Sequence, residues 1–438
     1  MKKSKLLYST FLSLFTLTTI LSCQNDELNN IPLDQQTQLS ENTLAPLSAQ
    51  GIRRTPVKHM VKITVRNRQD AEEIESYGID IFGSGRGGRL DAYVTDKEIE
   101  ILKSLNVQFT LINSFNAKGG LPAGYHNVQQ VLGTVREYAG KYPAITSLID
   151  IGDSWEKVQG KSPNNDIWAL VVTNKQTKKS RAKSPTILFM SGMHSRELAP
   201  VEVNLKLMDL ILSNYGKDPQ ITQFVDTREI VFVPVANIDG RIAVEQGHSM
   251  WRKNRHIDNK NDGIDLNRNF DGHWNFAGVP STPTIERYKR ELQDPSTEIF
   301  SGSGPFSEPE SQAIGNFTKT RNVTISIDMH AYGGMIIYPP GYTKAPVADT
   351  PTFKKVAKVM AAKSGYETGT SMELLYPTCG TTKDWAYDRH GSIAFTIEMG
   401  SDSDGFRPPY SRVEALWGEN RDAFLYLISI ADNPKKVR

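Results

Sequence analysis

From residue 127 to the C-terminus, short apolar runs rich in β-branched residues alternate with helical patterns, and this alternation restricts the fold more than any other feature of the chain. Helical periodicity covers 127–142, 201–212, 353–364 and 411–431. Strand-like runs cover 145–151, 167–172, 186–190, 230–235, 324–329 and 393–397. A chain that alternates in this way buries its strands between layers of helix. The expected class is therefore α/β, an α/β/α sandwich with a mixed twisted central sheet. At 438 residues there is room for more than this one unit.

A smaller unit precedes it. Residues 60–65, 79–82, 90–94 and 107–112 read as strands, and 70–77 and 96–105 as helices, the second with Ile99, Leu102 and Leu105 on one face. The order β-α-β-β-α-β is that of a small ferredoxin-like α+β domain, here 57–113. Nothing in it has catalytic character, and its only histidine, His59, lies at its edge. The glycine- and proline-containing stretch 114–124 reads as a linker, and the large domain is taken as 120–438.

Residues 1–22 join a basic tip (Lys2, Lys3, Lys5) to an apolar run, the layout of a signal peptide rather than a spanning helix. Leu21-Ser22-Cys23 resembles a bacterial lipobox, which makes Cys23 the expected lipidation site; a plain signal peptide with a chance cysteine is the alternative. Residues 23–56 read as a lipidated, disordered tether. Gln24-Asn25-Asp26-Glu27 reads either as an acidic surface-export tag or as part of that polar tether. The expectation is an exported, outer-membrane-anchored lipoprotein that meets the membrane only through its lipid. A net charge of +2 gives no reason to expect nucleic acid as a partner. Two cysteines, Cys23 and Cys379, cannot make a disulfide framework.

The chemistry is concentrated at strand ends. An apolar run from Thr186 to Met190 passes into a turn holding His194 and Glu197, the chain's one H-x-x-E pair. An imidazole and a carboxylate so placed can share one ion, and catalytic zinc takes three such N and O ligands. A second apolar strand ends on His330 and a third on Glu398. Each alone is commonly a satisfied polar group. Three strands delivering His, His and Glu to the C-terminal edge of a sheet, where binding crevices lie, are a different matter. Arg252 and Arg268 add guanidinium groups suited to carboxylates and oxyanions.

With these motifs, in this order, the large domain resembles the zinc metallocarboxypeptidases related to pancreatic carboxypeptidases and bacterial carboxypeptidase T. Carboxypeptidase A is a standard example of a His₂Glu zinc site. The resemblance implies His194, Glu197 and His330 as ligands of one Zn²⁺ and Glu398 as general base. Arg252 matches the group that polarises the scissile carbonyl. Asn267 and Arg268 match the clamp on the terminal carboxylate, so the implied substrate is a peptide with a free C-terminus. Tyr376 matches the mobile capping tyrosine and Tyr332 a subsite tyrosine. The small domain resembles the family's pro-domain, with cleavage expected around Lys118-Gly119; a permanent accessory module is the competing reading.

Two departures follow from the same comparison. Lys383 takes the floor position of the terminal side-chain pocket, whose matching walls are Ile337, Gly341, Ser371, Leu375 and Thr378. These walls offer the ammonium no obvious partner, which implies a preference for acidic C-terminal residues; pairing with Glu373 or Asp384, or bending out to water on its flexible stem, is the alternative. The segment from Asp258 to Gly263 only partly matches a Ca²⁺ loop, because Lys260 occupies a ligand slot, so Ca²⁺ is not favoured there. Cys379 reads as a packing cysteine. Two alternative functions remain on the sequence: a peptidase of cell-wall stem peptides, and an inert surface-binding relative. The second should have lost a ligand, Arg252 or Glu398, and has not.

Overall fold

The computed structural model of the chain describes residues 58–75, 77, 79–82, 88–111, 120–177, 184–259 and 261–437. The signal segment, Cys23 and its tether, the turn at 83–87, the linker at 112–119 with Lys118, and Lys260 lie outside the described residues.

Strands β1 (Lys58–Thr64), β2 (Asp80–Phe82), β3 (Arg89–Thr95) and β4 (Phe109–Leu111) form a small antiparallel sheet in the order β2-β3-β1-β4. With helices Arg68–Glu75 and Asp96–Ser104 this is the expected ferredoxin-like arrangement. Thr95 and Glu98 close a capping box on the second helix and fix where it starts. Alternation along β1 and β3 gives the sheet two buried faces. Val61, Ile63, Ala92 and Val94 join Leu102 in the unit's own core. On the opposite face Met60 and Tyr93 pack with Met250, Ala331, Tyr332 and Phe406 of the large domain.

The large sheet holds β5 (Thr146–Asp153), β6 (Asp166–Val172), β7 (Pro185–Ser191), β8 (Glu229–Val233), β9 (Asn322–Ala331), β10 (Met335–Tyr338), β11 (Glu367–Thr370) and β12 (Ile393–Met399). Their order is β11-β10-β12-β9-β7-β8-β6-β5. The centre, β12-β9-β7-β8, is parallel, and antiparallel pairs lie to either side, so the sheet is mixed as expected. Central strands of this kind are covered on both faces, which is why 186–190, 230–233 and 393–397 are near-continuous apolar runs. Helices flank the sheet, among them Val128–Lys141, Ala199–Asn214, Thr350–Ser364 and Val413–Ile430.

Some elements have no counterpart in the sequence reading. Strands β10 and β11 are four residues each; β11 (ETGT) carries no apolar pattern and exists because it pairs with β10. The segment leading into β12 holds a further element. Thr382–His390 is a helix capped by Thr381, whose hydroxyl accepts from the Asp384 N–H, so Lys383 stands in its first turn.

Candidate active site

Because β7, β9 and β12 are parallel neighbours, their C-terminal ends meet at one edge. Chain leaving β7 turns at Gly192, whose φ of +66° suits a residue without Cβ, and presents His194 and Glu197. His330 lies near the end of β9 and Glu398 near the end of β12, directly opposite each other in register. His194 Nδ1 is 2.7 Å from Glu197 Oε1, His330 Nδ1 is 2.9 Å from Glu197 Oε2, and the two Nδ1 atoms are 3.0 Å apart. All three residues are buried, and one ligand atom from each falls within 4.8 Å of the others.

This donor set suits zinc. Two imidazole nitrogens and a carboxylate converge while both rings are held from behind. His194 Nε2 is 3.1 Å from Asp265 Oδ1, and His330 Nε2 is 2.9 Å from Asp328 Oδ2. A carboxylate behind a ligating histidine fixes its tautomer and leaves the front nitrogen available as donor. Burial alone would raise the Glu197 carboxyl; His194 and His330 outweigh it and hold the group well below its ordinary value. Burial is likewise outweighed at Asp265, where Arg252, His194 and Arg268 hold the carboxyl far down.

Asp265 is shared. Its Oδ2 accepts from Arg252 Nη2 at 2.8 Å, so one buried carboxylate orients both His194 and Arg252. Asn267 places Nδ2 3.1 Å from His330 Nε2 and accepts from the Thr382 N–H at 2.9 Å. Arg268 is buried and donates to the Tyr376 hydroxyl at 3.4 Å. Burial pushes the Glu398 carboxyl up to about 8; His330 and Arg252 oppose the shift, and Glu197 and Asp328 add to it.

Most of these groups line one cavity, whose empty space with its open mouth is ≈ 700 Å³. Its walls contain His194, Glu197, Arg252, Asn267, Arg268, Tyr332, Tyr376, Glu398 and, from the pocket set, Ile337, Ser371, Leu375, Thr378 and Lys383. Gly341 stands behind the wall: its N–H donates to Asp384 at 2.9 Å, and a Cβ there would overlap Thr378 Oγ1 and lie 2.7 Å from Lys383 Nζ. His330 closes the metal cluster from behind the lining.

The expected lack of a partner for Lys383 does not hold: Nζ lies 2.8 Å from Asp384 Oδ2, with Thr381 Oγ1 at 3.3 Å. The helical turn brings the neighbouring carboxylate under the ammonium, so the charge is not stranded. The cavity also contains residues for which the sequence reading gave no role: Arg196, Met335, Thr381, Thr396 and Phe406, together with Ile81 from the small domain. Thr396 was signalled by its place two residues before Glu398 on one strand, and Asp328 by the same spacing before His330. Asp265 had no such local sign. Cys379 is buried and its thiol is pushed up to about 12, in line with a packing role. Asp258 accepts from the Asn261 N–H at 2.7 Å within its own turn.

Comparison with known proteins agrees with this chemistry. The human mast cell carboxypeptidase A is 28% identical over 367 residues, covering 77% of this chain and 82% of that protein. The bovine carboxypeptidase O is 27% identical over 351 residues, covering 77% and 86%. Among solved structures, carboxypeptidase A from Helicoverpa armigera shares the fold at a TM-score of 0.69 and 20% identity, over 86% of this chain and 98% of that one. The sequence profile described as zinc carboxypeptidase matches residues 131–423, from the first long helix of the large domain into its last, and on that match this chain belongs to the zinc carboxypeptidase family.

Proposed function

We propose that this metallocarboxypeptidase removes single residues from peptide C-termini with Glu398 as general base and Arg252 on the oxyanion, that it prefers acidic terminal residues, and that its small domain holds it inactive. The observation that carries the reading is the convergence of His194, Glu197 and His330 at the wall of the cavity lined by Glu398, Arg252 and Arg268.

Arg268, with Asn267 beside it, binds the terminal carboxylate; a mid-chain bond offers no such group, which makes the enzyme an exopeptidase. Zinc in the three-residue ligand set supplies Lewis-acid polarisation and lowers the pKa of water. Glu398 takes a proton from the attacking water and delivers it to the leaving amine. Arg252, fixed by Asp265, meets the negative charge that develops on the carbonyl oxygen.

For specificity, Lys383 lines the cavity and Asp384 does not. A substrate carboxylate can therefore reach the ammonium while the counter-ion stays behind it. Since Asp384 already satisfies part of the charge, discrimination of about tenfold for Glu over Lys is expected, less than for a stranded ammonium.

The zymogen reading is supported by two contacts. Ile81 lines the catalytic cavity, and the Tyr332 hydroxyl donates to Asp91 at 2.8 Å. Cleavage around Lys118-Gly119 would release both. Export and anchoring through Cys23 rest on the N-terminal pattern, and loss of fatty-acid labelling in Cys23→Ser tests them.

The deciding experiment is cleavage of blocked dipeptides ending in Glu, Phe or Lys, alongside their C-terminal amides. It is run with chelator and after zinc is restored. Cleavage of the acids but not the amides, lost with chelator while the far-UV circular dichroism persists, is the expected outcome. Amide cleavage at the same rate would sink the exopeptidase assignment.

A further inference from the structure

We infer that Tyr288 is a positioning residue for Tyr376, setting the rest position of the substrate cap; the inference rests on the carboxypeptidase reading above. Helix Pro283–Gln293 lies between Arg268 and β9 in the chain and starts on Thr282, whose hydroxyl accepts from the Ile285 N–H at 3.2 Å. Its buried residues Ile285, Tyr288 and Leu292 recur at helical spacing on one face. That face packs on Phe276 and Cys379, with Tyr342 and Tyr376 partly buried against the same cluster.

The contact with Tyr376 is specific in geometry. The Tyr288 and Tyr376 rings are stacked, with centroids 5.7 Å apart and planes within 17°. Tyr376 lines the catalytic cavity; Tyr288 does not and is 4% exposed. Tyr376 is thus held on two sides: the Tyr288 ring lies against its face, and Arg268 donates to its hydroxyl at 3.4 Å. Stacking fixes the plane of the ring without engaging its hydroxyl. The hydroxyl can then exchange Arg268 for a bound substrate while the ring stays over the cavity.

The segment that carries Tyr376 is pinned on the same side. The Phe276 N–H donates to Cys379 Sγ at 3.3 Å, the Phe270 N–H to the Gly380 carbonyl at 2.9 Å, and the Gly380 N–H to the Gly272 carbonyl at 2.7 Å. Beyond Cys379 the backbone is therefore locked to the 270–276 loop. Around Tyr376 the Leu375 N–H donates to the Ser371 carbonyl at 2.7 Å and the Thr378 N–H to the Gly341 carbonyl at 2.9 Å, and the stack adds a hold on the ring itself.

The test compares Tyr288→Leu, which keeps an apolar side chain in the buried site and loses the stack, with Tyr288→Phe, which keeps the ring. Two readouts are taken on the full chain: amide hydrogen exchange across 371–381, and kcat and KM for a blocked dipeptide. Tyr288→Leu should speed exchange across 371–381 and raise KM about three- to tenfold with kcat within about twofold, the range expected for one aromatic pair. Tyr288→Phe should match wild type in both. A merely structural role would instead speed exchange throughout the helix and its core and leave the KM-to-kcat split unmoved. Wild-type exchange at 371–381 in Tyr288→Leu overturns the inference whatever the kinetics. If wild type shows no carboxylate-dependent cleavage, the functional reading falls while the exchange result still decides this one.

Discussion

Lys383 Nζ lies 2.8 Å from Asp384 Oδ2, and of these two sequence neighbours only the lysine faces the catalytic cavity. Both are buried, and the Asp384 carboxylate also accepts from the Gly341 N–H and the Thr381 hydroxyl. The anion is thus tied to the scaffold from several sides. Reversing the cavity charge should reverse preference: Lys383→Asp is expected to shift the kcat/KM ratio of Glu-ending over Lys-ending substrates by more than about tenfold toward Lys. A Lys383→Met variant separates charge from shape and should flatten the ratio. Unchanged ratios in both variants would mean that residue 383 does not read the terminal side chain.

Asp265 and Asp328 hold the rear nitrogens of His194 and His330. Replacing either by Asn keeps its size and removes its charge. Zinc affinity, measured by competition with a chromogenic chelator, should weaken about 10–100-fold in each. Asp265→Asn should in addition lower kcat at saturating zinc, because Arg252 loses its anchor, whereas Asp328→Asn should recover more fully. Equal recovery of kcat in the two variants would argue against the shared role of Asp265.

As the proposed general base, Glu398 must be ionised to accept a proton. Burial pushes its carboxyl up to about 8, and a dication held by the adjacent ligands draws it lower by direct attraction. Activity should therefore climb with pH through this ionisation and be lost below it, with the midpoint of the kcat/KM profile under pH 8. Glu398→Gln should retain zinc, lose about 10²–10⁴-fold in kcat and show no such acid limb. A Gln variant with the wild-type profile would remove Glu398 from the chemistry.

The Tyr332–Asp91 hydrogen bond joins the cavity to the small domain, and Lys62 closes on Asp91 at 2.6 Å from the opposite strand position. If this contact keeps the small domain over the site, Asp91→Ala should raise the activity of uncleaved protein severalfold. Cleaved enzyme should respond much less to the same change. Protein cut near Lys118 should exceed the full chain in activity; equal activity of the two, with no inhibition on adding the small domain back, would mean that the unit is a permanent accessory.

Glu310, which is not among the metal ligands or the cavity lining, accepts from the Trp155 N–H in a buried setting. Burial raises its carboxyl from an ordinary 4.5 to about 8, with Asp239 and Glu308 adding to the shift. Between those values the folded chain keeps a proton that the unfolded chain releases, so this residue's contribution to stability falls as pH rises from about 4.5 to about 8. Glu310→Gln should remove that dependence. Thermal midpoints of the two proteins should diverge as pH rises across this window, with the variant higher at pH 8 and its kcat unchanged; parallel curves would count against it.

Much of this was legible in the linear chain, and the physical reasons are local. Burial on both faces forces a central parallel strand to be apolar along its length, so 186–190 and 393–397 declared themselves, and the polar residues that end such strands declared the sheet edge. The β-α-β-β-α-β order of the small domain followed from period alone. Shorter elements did not: β11 has no pattern of its own, and the helix around Lys383 was signalled only by Thr381 and Asp384 at capping distance. What the sequence by itself determined was which strands are central and which side chains stand at their ends, because those depend on neighbours within a few residues. Only the tertiary structure decided that Asp265 reaches His194 from 71 positions away, that Asp91 meets Tyr332 from 241, and that Tyr288 stacks on Tyr376. Those contacts are set by the strand order, with β9 between β7 and β12, and by how the flanking segments fold back over that edge. No local periodicity encodes a distance between elements, so such pairings become visible only when the sheet is assembled.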